Sequence, residues 1–323
     1  MRTLVSFLSG SAAVLLVASS AYAQTDPRYL SDPAYLPVEG QFTGSTAFTM
    51  SESRGNTYDS TGLLASRVYD QSDHIAQSLG YGITDDLSVN IDMSYIPFDK
   101  RNRYPVGGGS TTRENSGFTD PTIGLTWRAI EQGESLVNFD VFGSYSPDWV
   151  GARAATALSG GTEGRGGQSG ELGVAVSHVL PMFTIYGSLA ADFVGRRDTF
   201  DPTTGTDASR ASSTHWNADL STQTRLSDEV SIDAGISEVF GHDHTTVTGA
   251  SGVEFVNEPA NTTALHLAAN YNFIPNELVG SLTYAHSFDG TSRVDYPAAP
   301  LNDRTNRGGQ ENTWGARLSY AFN

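Results

Sequence analysis

The sequence predicts an all-β protein: a transmembrane antiparallel up-and-down β-barrel of about 12 strands, with both termini periplasmic. Three observations support this fold: apolar and polar residues alternate over about ten positions, the connectors are alternately very short and long, and the last strand is aromatic. In Leu87–Tyr95, apolar residues occupy every second position, with Ser, Asn or Asp between them. Such a strand has unlike faces, as in a barrel with an apolar outer wall and a polar lumen.

Residues 1–23 have the pattern of a cleaved signal peptide. Arg2 supplies the positive start, an apolar stretch runs from Leu4 to Ala18, and Ala21-Tyr22-Ala23 fits the small-x-small cleavage rule. The apolar stretch is too short to serve as a membrane helix. We therefore expect export, and location in the outer membrane of a Gram-negative cell.

Residues 24–39 form a proline-bearing leader, and residues 40–323 form the predicted barrel domain. Two alternatives are open for the leader: a periplasmic tail, which is the expected one, and a segment folded into the lumen as a plug.

Composition narrows the class of protein further. The chain has no cysteine, which excludes a disulfide scaffold, and its net charge of −17 argues against nucleic acid as a partner. Hydrophobic residues make up 38% of the chain, which is low for a soluble core. A barrel accounts for this value because only one face of each strand must be apolar.

Twelve strands alternate with short turns and long connectors rich in Gly, Ser, Thr, Asn or Arg. Short turns at the periplasmic side and long loops outside are typical of these barrels. The predicted strands are Gln41–Ser51, Ser66–Ile83, Leu87–Phe98, Thr119–Ile130, Leu136–Tyr145, Gly170–Val179, Phe183–Gly195, Ser213–Arg225, Val230–Phe240, Thr262–Phe273, Leu278–Ser287 and Asn312–Phe322.

The final strand resembles the assembly signal that the barrel assembly machinery recognises. Its signal residues are Trp314, Leu318, Tyr320 and Phe322, which fall on one face, and Asn323 follows the terminal Phe. Other aromatic residues fall where interface girdles are expected. Those near the outer rim are Tyr95, Tyr145, Phe193, Trp216, Tyr284 and Trp314, and those near the periplasmic rim are Tyr81, Trp127, Phe183, Tyr271 and Phe322.

The residues of opposite parity are predicted to line the lumen and to set its selectivity. They include Asp92, Arg128, Asp140, Asp192, His215, Asp219, Asp233, His266 and Arg317. Five carboxylates against two guanidiniums make this set acidic. An acidic passage favours cations or neutral polar solutes. The alternative is that Asp–Arg pairs and amide networks fill the interior.

Arginines cluster in the predicted outer loops. The candidates for anion contacts are Arg101, Arg103, Arg113, Arg196 and Arg197. Two interpretations are open: solvated loop tips, and guanidiniums that bind lipopolysaccharide phosphates.

The histidines and the glycine-rich loop give weak signals for chemistry. His215, His266 and His286 belong to no nucleophile motif, so no catalytic residue is predicted and the protein is expected not to be an enzyme. His242-Asp243-His244 is a weak metal pattern that reads better as a polar rim. Gly160–Gly167 lacks the ending of a phosphate loop. No metal or cofactor is predicted.

Two turn-and-strand units, Leu79–Val89 and Gly117–Leu125, resemble the "Tyr-Gly-Leu-Thr-Asp-x-Leu" and "Gly-x-x-Asp-x-x-Leu-Gly" signatures of a known family. It is the outer-membrane transporter family of the meta-pathway of phenol degradation. The resemblance extends over roughly residues 40–323 and is strongest from Leu79 to Ile130. It implies a barrel that passes small, often aromatic or hydrophobic, molecules, and it brings no catalytic residues.

Three functions follow, in order of preference. The first is a channel or facilitator for small solutes, either aromatic or hydrophobic compounds or cations. The second is a non-conducting surface barrel whose Arg-rich loops bind lipopolysaccharide or a partner. The third is an outer-membrane lipid hydrolase. The expected partners are membrane lipids, lipopolysaccharide, the assembly machinery and a small-molecule solute.

Overall fold

The computed structural model describes residues 30–133, 135–153, 164, 166–201, 206–249, 252–274 and 276–322, so the predicted signal peptide lies outside the described residues. All strands belong to one sheet. In chain order they are β1 (Phe42–Tyr58), β2 (Leu64–Thr84), β3 (Leu87–Pro105), β4 (Thr111–Phe118), β5 (Thr122–Ile130), β6 (Asn138–Ser146), β7 (Ala152–Arg153), β8 (Ser169–Val179), β9 (Phe183–Val194), β10 (Arg197–Asp201), β11 (Thr206–Arg210), β12 (Ser213–Arg225), β13 (Val230–Phe240), β14 (Thr245–Thr248), β15 (Glu254–Glu258), β16 (Thr262–Ile274), β17 (Leu278–Asp289), β18 (Ser292–Asp295) and β19 (Arg304–Phe322).

The sheet closes on itself as an antiparallel barrel of twelve wall strands, which confirms the predicted fold class. The wall strands are β1, β2, β3, β5, β6, β8, β9, β12, β13, β16, β17 and β19. Closure occurs between β1 and β19, where Phe42 lies opposite Phe322 and Met50 opposite Trp314. Among the described residues, no helix is long and apolar enough to cross a membrane.

The outer wall carries the apolar side chains that the alternation predicts. Leu79, Trp127 and Leu282 are 59%, 53% and 68% exposed although they lie in strand interiors. All the aromatic residues predicted for the two girdles have substantial exposure on this face, and Tyr284 lies opposite Trp314 in neighbouring strands. Exposed apolar residues of this kind face lipid rather than water.

The aromatic terminus has the predicted orientation. Trp314, Leu318 and Phe322 are exposed on the outer wall. The Tyr320 ring packs over Gly44, where an added Cβ would lie 2.5 Å from the ring carbons. A glycine at position 44 therefore leaves the room that this aromatic side chain needs.

The two ends of the barrel differ as the connectors predict. The turns between β2 and β3, β8 and β9, and β12 and β13 are short, and we call this the short-turn end. At the opposite, long-loop end the predicted strand bounds are wrong. β1 continues to Tyr58 and β3 to Pro105, and β19 begins at Arg304. Above the membrane both faces of a strand meet water, so apolar alternation no longer marks the strand.

The long connectors build an upper tier of wall. In this tier β7 pairs with β10, β11 with β14, β15 with β18, and β18 with β19. The tier encloses a small apolar cluster of Val247, Phe255, Val294 and Tyr296. The long connectors are therefore structured extensions of the barrel over the described residues, and they form a walled mouth.

The predicted fourth strand is broken into β4 and β5 at residues 119–121. Asp120 is buried there, and its Oδ1 accepts hydrogen bonds from the backbone N–H groups of Trp149 and Val150 at 2.9 and 2.6 Å. Pro121 has no N–H for the ladder. The strand is thus interrupted where the Asp120 side chain binds the connector that follows β6.

The leader lies inside the barrel at the short-turn end. Ala34, Tyr35 and Leu36 are 0%, 4% and 1% exposed. These contacts match the plug alternative for residues 30–38, whereas residues 24–29 lie outside the described part of the chain. The leader backbone passes so close to β2 that a Cβ on Gly82 would lie 1.9 Å from the Val38 carbonyl oxygen.

Gly82→Ala is therefore expected to displace the leader and to lower the free energy of unfolding by about 1–3 kcal/mol, the usual cost of overpacking. The measurement is a urea titration of the refolded protein in micelles. Gly187→Ala is the matched control, because a Cβ there has its nearest neighbour at an ordinary 3.7 Å. Equal stability of the two variants would contradict the close approach.

Candidate functional site: the barrel lumen

At the short-turn end, a buried ion pair joins two wall strands. Arg128 lies opposite Asp140 in the β5–β6 register, so both side chains point inward. Arg128 Nε donates to Asp140 Oδ1 at 2.7 Å, and an Nη donates to Oδ2 at 3.0 Å, with side chains only 1% and 2% exposed. The same guanidinium donates to the Ala34 carbonyl of the leader at 3.4 Å.

A second ion pair holds the leader directly. Arg225 donates to Asp32 Oδ2 at 2.8 Å, and the Thr184 hydroxyl donates to the same oxygen at 2.8 Å. Asp32 Oδ1 accepts the Ala34 N–H, and Gln223 donates its side-chain amide to the Ser31 carbonyl at 2.7 Å. The leader is thus pinned to β9 and β12 by polar contacts.

Apolar contacts complete the plug. Leu30 and Tyr35 belong to a buried cluster with inward side chains of the wall, among them Val179, Tyr186 and Val279. The Tyr35 hydroxyl donates to the side-chain oxygen of Gln41, where β1 is about to begin. This end of the lumen is therefore filled by protein rather than by solvent.

The next layer centres on Arg317 of β19. It interacts with Asp92 of β3 and Asp233 of β13, each three strands away in opposite directions around the wall. Electrostatic interactions between strands this far apart in the sheet are possible only across the interior. Asn90 hydrogen-bonds Asp92, and Asn270 donates to Asp233 Oδ2 at 2.9 Å.

Above it, carboxylates meet histidines. His215 Nε2 lies 3.0 Å from Asp192 Oδ2, and His266 Nε2 lies 3.8 Å from Asp219 Oδ2. Glu171 forms a hydrogen-bonded pair with Asp192. The structure thus places every predicted lumen-lining residue inside the barrel and brings most of them together in pairs.

The loop arginines lie in different environments. Arg101 makes a bidentate pair with Asp70, with Nε–Oδ1 at 2.9 Å and Nη2–Oδ2 at 2.6 Å. The register puts Arg101 opposite Arg113 on the inner face of the upper tier, together with Arg103. Arg196 is exposed and pairs with Asp198 at 3.1 Å. Arg197 begins β10, at the edge of the mouth.

The His242-Asp243-His244 segment does not converge on one point. The His242 ring stacks on His215 with centroids 5.1 Å apart, Asp243 accepts the Thr214 N–H, and His244 lies 3.6 Å from Glu258. Burial, with the charges of His215 and Arg210, lowers the pKa of His242 to about 4. No group of three or more metal-ligating side chains is placed to hold an ion within the described ranges.

The outward-facing histidines His178 and His286 have no nucleophile among their described contacts, and the Ser72–His74 hydrogen bond of 3.1 Å lies on the inner face of β2. His286 Nδ1 lies 2.8 Å from Asn312 Oδ1, and its ring meets the edge of Phe288. His215 and His266 face the interior and pair with carboxylates. The described contacts give the lipid-hydrolase alternative no Ser–His pair on the lipid-facing wall.

Several interior residues were missed at the sequence level. Glu171 could have been found by strand parity, since Leu172 and Val174 beside it point outward. Asp32 and Arg225 carry no such signal, because their pairing depends on the leader entering the barrel. Arg304 lies in a strand extension that alternation does not mark, whereas Asp70 lies within the predicted strand Ser66–Ile83 and was not singled out.

A closed antiparallel barrel with an apolar, aromatic outer wall and a polar interior is the architecture of outer-membrane β-barrel proteins. The chain has the fold of an outer-membrane β-barrel protein.

Comparison with solved structures agrees with this class. The chain is similar to the COG4313 outer membrane channel from Pseudomonas putida F1, with 15% identity, a TM-score of 0.57, and coverage of 93% of this chain and 100% of that one. It is also similar to the P. putida toluene transporter TodX, with 11% identity, a TM-score of 0.42, and coverage of 94% and 95%. The outer membrane protease OmpT from Escherichia coli gives 6% identity, a TM-score of 0.39, and coverage of 87% and 97%.

At these identities the similarity shows a shared fold and nothing about function. The two structures with TM-scores below 0.5 are too dissimilar to support any further comparison. No protein-family model and no curated protein matches the chain. Membership of the phenol meta-pathway family stays a prediction.

Asp140→Asn is expected to lower the free energy of unfolding by about 3–5 kcal/mol, because it leaves the Arg128 charge buried and uncompensated. The measurement is urea unfolding in micelles. Replacing both partners, as Arg128→Met with Asp140→Leu, should restore most of the loss. A loss below about 1 kcal/mol in the single variant would show that the pair is hydrated rather than buried.

Proposed function

We propose that the protein is a bacterial outer-membrane channel for small organic solutes, with the short-turn end in the periplasm. The observation that carries the proposal is the charged and polar interior, in layers from Arg128 to His215, inside a wall whose outer face is apolar. A barrel that served only as an anchor would gain nothing from inward carboxylates, which are costly to bury. The similarity in fold to an outer membrane channel supports the same function.

Small aromatic compounds are the solutes that we propose. The resemblance of Leu79–Val89 and Gly117–Leu125 to the phenol meta-pathway transporters supports this class. The compensation of the interior charges supports it too, since Arg128 and Arg225 form ion pairs and Arg317 interacts electrostatically with Asp92 and Asp233. Compensated charges attract free ions less strongly than the uncompensated acidic lumen expected from composition.

The leader is the gate of this proposed channel. It fills the lumen at the short-turn end, so solutes pass only when residues 30–38 move. The Asp32–Arg225 pair and the Leu30–Tyr35 cluster must then separate from the wall. The segment ends near Gly40, whose φ of +80° suits a glycine hinge.

A non-conducting surface barrel is the second candidate, and the filled short-turn end favours it. In that case the exposed Arg196 would belong to a surface that holds lipopolysaccharide phosphates. The two candidates differ in whether removal of the leader opens a path.

Deletion of residues 24–38 is expected to raise the single-channel conductance of the refolded protein in a planar bilayer, because the plug no longer fills the lumen. Arg225→Gln, which loosens the leader, should raise the fraction of time spent open. Arg54→Gln is the control, since Arg54 lies on the outer face and donates to Gln310. Unchanged conductance after the deletion would exclude the leader as the gate and favour the second candidate.

In the leader-deleted protein, Asp92→Asn combined with Asp233→Asn is expected to reduce cation preference, measured as a reversal potential in a salt gradient. The change should be largest at low salt, where the Debye length is longest. An unchanged reversal potential at every salt concentration would mean that these carboxylates do not face the path.

A further inference from the structure

The outer face of the wall above the membrane carries a row of polar side chains. Asn56 of β1 lies opposite Arg307 of β19 on one side and opposite Arg67 of β2 on the other. Residues directly opposite each other in neighbouring strands point to the same side of the sheet. The adjacent residues Thr57 and Ser66 are buried in the interior, so Asn56, Arg67 and Arg307 point away from the lumen. We call these three residues the Asn56 row.

The register brings the two arginines within reach of one group. Neighbouring strands are ~4.8 Å apart, so the Cα atoms of Arg67 and Arg307, with one strand between them, are separated by about 10 Å. An extended arginine side chain spans more than half of that distance. Both guanidiniums can therefore meet an acceptor that lies over Asn56, whose side-chain amide provides a third donor.

The donors of the Asn56 row are not occupied by the wall. The side chains of Asn56 and Arg67 make no hydrogen bond or ion pair with another described residue, and Arg307 has only the ring of Tyr58, 5.6 Å from its Cζ. Both arginines are exposed. Arg54 differs, because it lies one row nearer the membrane and donates to a glutamine of β19 at 3.0 Å.

The carboxylates of the same three strands do not offset these arginines. Asp70 and Glu311 point into the lumen. Glu52 and Asp73 point outward, but they lie at least four residues nearer the membrane, about 13 Å or more along the strand. Asp59, in the turn after β1, accepts backbone N–H groups of its own turn. The row is therefore a local excess of positive charge on a chain whose net charge is −17.

Aromatic rings flank the row on both sides. Tyr58 packs against the guanidinium of Arg307, a cation–π contact that holds this side chain in place. Tyr104 of β3 lies opposite Arg67 and is 46% exposed, and the Tyr69 ring meets it at 5.7 Å in a T-shaped arrangement. An exposed ring beside a guanidinium offers a stacking surface for a sugar.

The height of the row above the membrane distinguishes between lipids. Trp314 of the outer aromatic girdle lies opposite Met50, and Asn56 is six residues farther along β1. Six residues extend about 20 Å along a strand, and a strand tilt of ~35–45° places the row about 15 Å above the girdle. Phospholipid headgroups extend only about 5–8 Å beyond the hydrocarbon. The core sugars of lipopolysaccharide extend farther and carry phosphates.

We propose that Asn56, Arg67 and Arg307 form a binding site for a phosphate group on the core sugars of lipopolysaccharide. Guanidiniums bind phosphate in bidentate fashion through charge-assisted hydrogen bonds. A lipid anchored beside the wall is favoured over free phosphate, because its anchoring raises the effective concentration of phosphate at the row. The site rests on the proposed orientation, with the long-loop end outside the cell, and it does not depend on conduction.

The test is native mass spectrometry of the refolded mature protein in micelles, titrated with purified rough lipopolysaccharide whose core is phosphorylated. The matched probe is lipopolysaccharide that lacks the core phosphates and keeps those of lipid A. We expect this probe to bind at least about tenfold more weakly, because the charge-assisted hydrogen bonds are lost. Arg67→Gln with Arg307→Gln should weaken the phosphorylated form by about tenfold or more and leave the other form within about twofold.

Lys100→Gln is the matched control. Lys100 lies on the same outer face, opposite Gln71, and its ammonium pairs with Glu114 at 2.9 Å. The variant removes one positive charge outside the row and should leave the affinity within about twofold. If the double variant does not refold, judged by heat-modifiable gel mobility, Arg67→Gln alone carries the test. This side chain makes no hydrogen bond or ion pair within the described ranges that the fold would lose.

A separate measurement tests the orientation. Because the chain has no cysteine, Leu63→Cys introduces a single thiol in the turn between β1 and β2, at a position that is 68% exposed. Intact cells should react with a membrane-impermeant maleimide. Unreactive cells would overturn the orientation, and with it both this site and the proposed direction of the channel.

The other outcomes concern the site alone. In a protein with the expected orientation, equal binding of the two lipopolysaccharides would overturn the proposal, as would unchanged affinity in the arginine variants. Displacement of lipopolysaccharide by an equal concentration of inorganic phosphate or phosphatidylglycerol would overturn its assignment as the ligand. None of these results bears on conductance, so the site and the channel stand or fall independently.

Discussion

Pairing of the first wall strand with the last is the constraint on which the rest of the structure depends. In a bilayer every backbone N–H and C=O must find a partner within the protein, so an open sheet edge is not tolerated. The ladder from Phe42 opposite Phe322 to Arg54 opposite Gln310 removes that edge. Once the sheet is closed, each residue of a wall strand faces either lipid or the interior. The alternation of apolar and polar residues along a strand therefore corresponds to side chains that face lipid and side chains that face the interior.

The side chains that face the interior include charged groups, and these groups lie in a space from which water is partly excluded. Charged groups in such a space are tolerated when they are paired and hydrogen-bonded. The interactions follow this rule, from the Arg128–Asp140 ion pair, through the electrostatic attraction of Arg317 to Asp92 and Asp233, to the histidine–carboxylate pairs above. The leader follows the same rule, because its carboxylate, Asp32, is paired with Arg225 of the wall. A segment held by an ion pair and a small apolar cluster can leave the barrel without breaking the wall ladder. Opening of the lumen therefore does not require the wall strands to separate.

Much of the wall could be predicted from the sequence, because lipid and interior impose unlike demands on neighbouring residues. β12 and β13 have the predicted bounds, Ser213–Arg225 and Val230–Phe240. The bounds failed at the long-loop end, as at Arg304, since both faces of a strand above the membrane meet water and period-two patterning is lost. Strand parity placed Asp92 and Arg317 inside but could not pair them, because three strands separate them in the sheet and the closure register decides which residues meet. The sequence could not decide between a tail and a plug for the leader for a related reason. Its burial depends on the shape of a lumen that exists only after closure.

The central claim, that the barrel passes small organic solutes, is tested most directly by uptake into living cells. Porin-deficient Gram-negative cells are suitable, because a lipopolysaccharide leaflet slows the passive entry of aromatic molecules. The measurement is the initial rate of uptake of a radiolabelled small aromatic compound by cells with and without the protein, at equal surface levels confirmed by heat-modifiable gel mobility. The account predicts a faster rate with the protein and a still faster one when the leader is deleted. Equal rates in all three strains would contradict a channel and leave a non-conducting surface barrel.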